Sequence, residues 1–173
     1  RHIVGVQFRN CATVGGSLWG RFGFSDVLTL FLALDAAVTL HHAGEMPLAD
    51  FAALPRVTRD ILTHVTLPKA SQRAVYLSQR NISTDFPVLA VALSERDGRY
   101  TCAVGARPMP AAAFADEKGA LAQGITEDSA RAFAADIAAR AVLGGNLRAG
   151  ADYRCAVCEV LVRRAALALS KEG

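Results

Sequence analysis

The chain has 173 residues, of which 52% are hydrophobic and 20% charged, and its formal net charge is +3. A disordered chain would be poorer in apolar residues and richer in charge, so we expect a folded protein with one compact domain, or two small lobes that share a core. The charge is only mildly basic and no Lys/Arg block occurs, so nucleic acid is not an expected partner.

The first half of the chain is predicted to contain a glycine-rich loop, a helix and short strands. Residues 3–8 are strand-like, and the glycines between residues 13 and 26 predict a loop, because glycine is costly in regular structure. Ser25 is a suitable N-cap for a helix that runs to about Leu34. Strands are then expected at 36–40, 45–48 and 61–67, with a short helix over 48–54.

The second half is predicted to place strands before two helices. The apolar runs 88–93 and 100–104 flank Asp97-Gly98, and Asp-Gly between such runs is typical of a hairpin turn. Helices are expected over about 126–141 and 151–169, the first with a single apolar stripe. Strands followed by helices, without regular strand–helix alternation, predict the α+β class.

The glycine-rich segment is the candidate binding element. Gly15-Gly16-Ser17-Leu18-Trp19 lacks the last glycine of a nucleophile elbow, and the segment fits neither the dinucleotide-binding G-x-G-x-x-G nor the P-loop. The backbone from Thr13 to Gly16 can nevertheless present consecutive N–H groups to an anion or to a polar ring edge. A tight structural loop explains the same glycines equally well, and both interpretations stay open at this point.

The cysteines give little indication of a metal centre. Cys155 and Cys158 have C-x-x-C spacing but fall within a predicted helix, while Cys11 and Cys102 are single and distant. We interpret the pair as two small apolar helix residues, with an iron–sulfur or redox-sensing role as the alternative. No arrangement of residues predicts a catalytic acid or base, and the longest apolar run, residues 27–34, is too short to span a membrane.

Several stretches carry a family resemblance through their order and spacing. The sequence F-R-N-C-A-T-V-G-G-S at residues 8–17 is followed nine residues later by Asp26, and then by F-L-A-L-D-A at 31–36. Further stretches lie at 60–68 and 80–87. Together they resemble the I-R-N-x-A-T-I-G-G-N, L-L-A-L-D-A, E-I-L-x-x-I-x-I-P and R-x-S-x-D-F-P stretches of the FAD-binding subunit of molybdenum hydroxylases, the family of xanthine dehydrogenase and aerobic carbon monoxide dehydrogenase.

The resemblance implies an architecture. In this family FAD lies between two subdomains of a vanillyl-alcohol-oxidase-type fold. Residues 1–69 would form the second subdomain, and residues 70–173 would form a C-terminal domain with a small antiparallel sheet and helices. The first subdomain, which carries the pyrophosphate loop, would lie before Arg1, where this chain begins without a methionine.

The resemblance also assigns residues to FAD by position. They are Thr13, Val14, Gly15, Gly16, Ser17, Gly20, Asp26 and Leu62. Asp26 would accept a hydrogen bond from a FAD hydroxyl group, and Leu62 would meet the isoalloxazine edge through its main chain. Two residues depart from the family pattern, since Ser17 replaces the usual Asn and Leu77 stands where members often have Lys.

The implied function is that of a part of the flavin subunit of a molybdopterin-dependent hydroxylase. Its FAD would pass electrons from iron–sulfur clusters to NAD or another acceptor. The expected partners are the N-terminal FAD subdomain, an iron–sulfur subunit and a molybdenum subunit, which would hold the iron–sulfur and molybdopterin cofactors in a cytoplasmic complex. The alternative is a flavin-free scaffold that docks those subunits, an interpretation suggested by Ser17 and Leu77.

Overall fold

The computed structural model describes residues 3–171 and leaves Arg1, His2, Glu172 and Gly173 outside the description. The helices are α1 (Val6–Cys11), α2 (Val14–Trp19), α3 (Asp26–Ala33), α4 (Leu48–Ala53), α5 (Glu127–Arg140) and α6 (Ala151–Leu169). The strands are β1 (Ala37–Leu40), β2 (Gly44–Pro47), β3 (Leu62–Thr66), β4 (Arg73–Gln79), β5 (Leu89–Arg96), β6 (Arg99–Gly105) and β7 (Ala112–Ala115). A fold of mixed helices and sheets, expected from the sequence, is confirmed.

The strands form two antiparallel sheets. The first has the order β2-β1-β3 and the second the order β4-β5-β6-β7. The predicted hairpin joins β5 to β6, because Arg96 pairs with Arg99 across Asp97 and Gly98, whose φ angles are 52° and 75°. Positive φ at both central residues is the geometry in which an Asp-Gly turn follows the twist of its strands.

The central strands of the second sheet separate large from small side chains. Leu89, Val91 and Leu93 of β5 pack with α5 and α6, whereas Ala92 of β5 and Ala103 of β6 pack with the core around α3. Successive side chains of a strand point to opposite faces, so the sheet has one bulky face and one shallow face. The predicted apolar stripe of α5 covers the bulky face: Ala130, Phe133, Ala134, Ile137, Ala138 and Ala141 are all buried.

The shallow face lets α3 lie very close to the sheet. Ser94 of β5 donates a hydrogen bond to the carbonyl oxygen of Ala33 at 2.5 Å. A Cβ atom added at Gly105 would overlap the hydroxyl oxygen of Thr29, which is fully buried in α3. Just before α3, the carbonyl oxygen of Gly23 accepts from the N–H of Ala106 at 2.5 Å. The second sheet therefore fixes the position of α3.

Two predictions for the N-terminal part are wrong, and one strand is missed. Residues 3–8 are not a strand, since helix α1 begins at Val6. The predicted loop over 13–26 contains helix α2, which the Thr13 side chain caps by accepting from the Gly16 N–H at 3.0 Å. Leu18 is fully buried and anchors that helix in the core, so tertiary packing outweighs the low helix propensity of its glycines. The missed strand is β7, an alanine-rich segment after a proline-rich turn.

We expect the close packing at Gly105 to be measurable. Gly105→Ala should lower the free energy of unfolding by about 1–3 kcal/mol, because the added methyl group has no space beside Thr29. Gly145→Ala is the matched control, since its nearest neighbour would lie at 3.5 Å, an ordinary contact. Urea unfolding compares the two, and equal losses of stability would contradict the packing described here.

Candidate functional site

A cavity of about 450 Å³ opens beside α2 and the beginning of α3. Its walls come from the segment before α2, from the two helices and from the loop between β4 and β5. The lining residues are Ile3, Val4, Phe8, Cys11, Ala12, Thr13, Gly16, Ser17, Phe22, Phe24, Ser25, Asp26, Val27 and Phe86. The volume falls in the range of ordinary small-molecule sites, and the lining is largely apolar with a few polar groups, as such sites usually are.

The residues assigned to FAD by resemblance divide into two groups. Thr13, Gly16, Ser17 and Asp26 line the cavity, and Val14, Gly15, Gly20 and Leu62 do not. Gly15 lies on the opposite side of α2, where a Cβ atom would be 3.9 Å from Leu62 Cδ2. A Cβ atom at Gly20 would overlap the ring of Phe22. The assignment of all eight to FAD stays a prediction.

The hydroxyl groups of α2 are partly occupied by the helix itself. Thr13 Oγ1 accepts from the Gly16 N–H, and Ser17 Oγ donates to the Thr13 carbonyl oxygen at 2.8 Å. The expected row of free N–H groups is therefore shorter than the sequence suggests, because the Gly16 N–H has an acceptor. The N–H groups of Val14 and Gly15 have no acceptor within residues 3–171. Thr13 Oγ1 can still donate and Ser17 Oγ can still accept.

Asp26 is the buried acidic group of the site. Its side chain is 6% exposed and lies in the first turn of α3, where Ser25 is the predicted N-cap and accepts from the Leu28 N–H at 3.2 Å. Tyr76 of β4 and Arg80 both donate hydrogen bonds to Asp26 Oδ1. Arg80 and Asp26 also form a buried ion pair. Burial, together with the Asp26 carboxylate, raises the pKa of Tyr76 well above its usual value, so the phenol keeps its proton.

Arg80 also orders the loop that carries Phe86. Its Nε atom donates to Ser78 Oγ at 3.1 Å and its Nη1 atom donates to the Asp85 carbonyl oxygen at 2.5 Å. The Asp85 carboxylate accepts from Arg148 at 2.5 Å and from the Phe86 N–H at 2.7 Å, and these bonds hold the pKa of Asp85 below its usual value. The ring of Phe86 is thereby held at the edge of the cavity.

Aromatic rings form one wall of the cavity. The centroids of Phe24 and Phe86 are 4.4 Å apart, and Phe8 meets Phe86 edge-on at 6.1 Å. Phe22 stacks on Phe24 with centroids 5.2 Å apart and planes 11° from parallel. Phe8, Phe22 and Phe24 are between 38% and 44% exposed, so much apolar ring surface is left uncovered. Such a wall suits a flat, weakly polar ring.

Arg154 fixes the far end of the loop that carries Phe86. It is 1% exposed and donates to the carbonyl oxygens of Val88, Gly144 and Ala149 and to Asn146 Oδ1, at 2.7–2.9 Å. Burial lowers its pKa. Arg154 is thus a structural arginine that joins α6 to the start of β5.

The C-x-x-C pair fits the interpretation as helix residues. Both cysteines lie in α6, where Cys155 is exposed and Cys158 is fully buried. Burial raises the pKa of Cys158 to about 12, so its thiol is not the reactive thiolate. Residues 3–171 contain no group of His, Cys, Asp and Glu that could hold a metal ion. Within the same part of the chain, no helix is long and apolar enough to cross a membrane.

Sequence reasoning missed Tyr76, Arg80 and Phe86 as parts of this site. Arg80 and Phe86 lie in the stretch 80–87, which carries part of the family resemblance but predicts no role for either residue. No pattern in the sequence distinguishes Tyr76 from its neighbour Leu77 as a site residue. The two point to opposite faces of β4, since Leu77 packs with α5 and α6 and Tyr76 reaches Asp26.

A comparison with protein families confirms the resemblance for the first part of the chain. Residues 1–70 match the family described as the FAD binding domain in molybdopterin dehydrogenase, whose cofactor is FAD. None of the curated proteins searched matches the chain.

Solved structures share the fold over almost the whole chain. Three of them are carbon monoxide dehydrogenase from Hydrogenophaga pseudoflava lacking the Mo-pyranopterin moiety of its molybdenum cofactor (TM-score 0.82, 22% identity), quinoline 2-oxidoreductase from Pseudomonas putida 86 (0.80, 19%) and reconstituted CO dehydrogenase from Oligotropha carboxidovorans (0.76, 20%). Each match covers 99% of this chain and 65% of the matched chain. At these identities the likeness establishes the fold, and this chain spans 65% of the length of the chains that it matches.

The raised pKa of Tyr76 predicts a pH dependence. Folded Tyr76 keeps its proton above about pH 10, where a tyrosine in the unfolded chain loses it, so the stability that it contributes is complete below that pH and falls as the pH rises further. As the pH rises, the free energy of unfolding should therefore fall less steeply in Tyr76→Phe than in the wild-type protein. The two slopes should differ by up to about 1.4 kcal/mol per pH unit. Urea unfolding between about pH 9 and pH 11 measures both slopes. Identical slopes would contradict the prediction; the buried cysteines contribute equally to both proteins.

Proposed function

We propose that this chain, whose first 70 residues match the FAD-binding domain of molybdopterin dehydrogenases, holds part of a FAD molecule in the cavity beside α2 and α3. The observation that carries the proposal is the convergence of Thr13, Gly16, Ser17 and Asp26 on one cavity with an aromatic wall. The division at residue 69/70 and the vanillyl-alcohol-oxidase-type relationship of the first part belong to the same proposal.

The residues present fit the flavin and ribityl portion of FAD. Asp26 supplies a buried acceptor for a hydroxyl group, and the hydroxyl groups of Thr13 and Ser17 retain free hydrogen-bonding capacity. Phe24 and Phe86 supply apolar surface for a flat ring and would exclude water from it. We infer that the pyrophosphate is held by a subdomain outside this chain, because the cavity offers no basic side chain among its described lining residues.

The bound flavin would supply the redox chemistry, accepting electrons and releasing them to a second acceptor. The chain's own residues bind and orient the cofactor, and none of them is assigned as a catalytic acid or base. We propose that the electrons come from iron–sulfur clusters in a partner subunit beside a molybdenum subunit, in the cytoplasm. The acceptor would be NAD or another oxidant.

The flavin-free scaffold remains the alternative hypothesis, but one of its two supports is weakened. Leu77 faces α5 and α6 and so does not reach the cavity, which makes its departure from the family's lysine irrelevant to the ligand. Ser17 does line the cavity, where its small side chain leaves space. The lining is thus compatible with a bound ligand.

The test uses the full-length protein that contains this chain, purified with its accompanying subunits. We expect flavin absorbance to co-elute with the protein in gel filtration at about one FAD per chain. Gly16→Val should reduce flavin affinity by tenfold or more, since its side chain would enter the cavity and press on Thr13. The matched control, Gly145→Val, lies away from the cavity and should retain the cofactor.

A wild-type protein that co-purifies with its partners but carries no flavin would overturn the proposal and favour the scaffold. Full flavin content in Gly16→Val would reject this cavity as the site while leaving FAD binding elsewhere on the protein.

A further inference from the structure

We propose that Tyr76 and Arg80 are positioning residues for the flavin, which hold Asp26 so that its Oδ2 atom is presented to a FAD hydroxyl group. This inference rests on the proposed function, because it concerns the same cavity. It assigns a role in the cofactor site to Tyr76 of β4 and to Arg80, which follows β4, and both lie outside the segment that matches the FAD-binding family.

The two carboxylate oxygens of Asp26 differ in their hydrogen bonds. Both donors, the Tyr76 hydroxyl and Arg80 Nη2, reach Asp26 Oδ1. Within residues 3–171, every hydrogen bond to the Asp26 side chain ends on Oδ1 and none on Oδ2, and Asp26 lines the cavity. A carboxylate has about four acceptor positions, so Oδ2 keeps its full capacity for a ligand.

The ion pair explains why a carboxylate is stable in this position. The side chains of Asp26 and Arg80 are only 6% and 8% exposed, and a buried carboxylate without a partner is strongly unfavourable. Arg80 supplies the opposite charge that such a buried carboxylate needs. A charged acceptor makes a stronger hydrogen bond to a hydroxyl group than a neutral acceptor makes.

A small neighbour on the adjacent strand makes space for Tyr76. Tyr76 of β4 pairs with Ala92 of β5, a small residue that is fully buried. This small neighbour on the shallow face leaves space for the phenol ring to lie beside α3. The protonated hydroxyl group is the donor and the carboxylate is the acceptor in this hydrogen bond. Tyr76 therefore acts on the ligand through Asp26.

Arg80 connects Asp26 to the aromatic wall. The same guanidinium that holds Asp26 also donates to the Asp85 carbonyl oxygen, directly before Phe86. The acceptor and the ring surface are thereby set at a constant relative position before a ligand binds. Groups that are already ordered in the free protein lose little conformational entropy on binding, and this strengthens affinity.

The experiment measures FAD affinity in the full-length protein with its accompanying subunits, by removing the flavin and titrating FAD back. Tyr76→Phe should weaken binding about threefold to tenfold, the usual effect of one lost hydrogen bond. Asp26→Asn should weaken it by more. The double variant should match Asp26→Asn within about twofold, because Tyr76 acts through Asp26.

The controls separate positioning from general stability. Tyr100→Phe removes a hydroxyl from β6 that has no hydrogen-bond partner within the described residues, and it should leave FAD affinity unchanged. Arg80→Lys, which keeps the charge, should retain more affinity than Arg80→Gln. The melting temperature of each flavin-free protein is recorded alongside, since a purely structural role would change it in proportion to affinity.

The outcomes distinguish this inference from the proposed function. A wild-type protein that binds no FAD fails the proposed function itself. If the wild-type protein binds FAD, two results would overturn the positioning role while the proposed function stands. One is an unchanged FAD affinity in Tyr76→Phe, and the other is a double variant in which the affinity losses of Tyr76→Phe and Asp26→Asn multiply.

Discussion

The structure depends on the close approach of helix α3 to the shallow face of the four-stranded sheet. Gly105 leaves space for the hydroxyl of Thr29, and Ala92 and Ala103 keep that face low, while the leucines and valines of the same strands fill the core beneath α5 and α6. A larger side chain at these positions would push α3 outward, because protein interiors are close-packed and tolerate little extra volume. Asp26 stands at the beginning of this helix, so the packing of the second sheet determines where the acidic group of the cavity lies.

The cavity is consequently built by distant parts of the chain. The glycine-rich helix α2 and the start of α3 supply Thr13, Ser17 and Asp26. Strand β4 and the loop that follows it supply Tyr76 and Arg80, which fix Asp26, and the same loop carries Phe86. The family match ends at residue 70, whereas the shared fold covers 99% of the chain. The first part contains the recognisable motif, and the second part holds one of its residues in position.

Local patterns in the sequence were sufficient for elements with strong signals of their own. The Asp97-Gly98 turn and the apolar stripe of α5 were predicted correctly, because turn chemistry and helical periodicity are local properties. Helix α2 was not predicted, because its glycines favour a loop and only the burial of Leu18 and the Thr13 cap overcome that preference. The link from Tyr76 to Asp26 spans fifty residues, and no local pattern could reveal that one side chain would meet the other.

The central claim is that Asp26, held by the second sheet, receives a hydroxyl group of FAD in this cavity. The most direct measurement is an experimental structure of the flavin-bound full-length protein. We predict a FAD hydroxyl oxygen about 2.5–3.0 Å from Asp26 Oδ2, with Tyr76 and Arg80 still bonded to Oδ1 and the flavin ring against Phe86. A FAD molecule bound elsewhere, or an Asp26 carboxylate that contacts only protein and water in the flavin-bound state, would contradict the account.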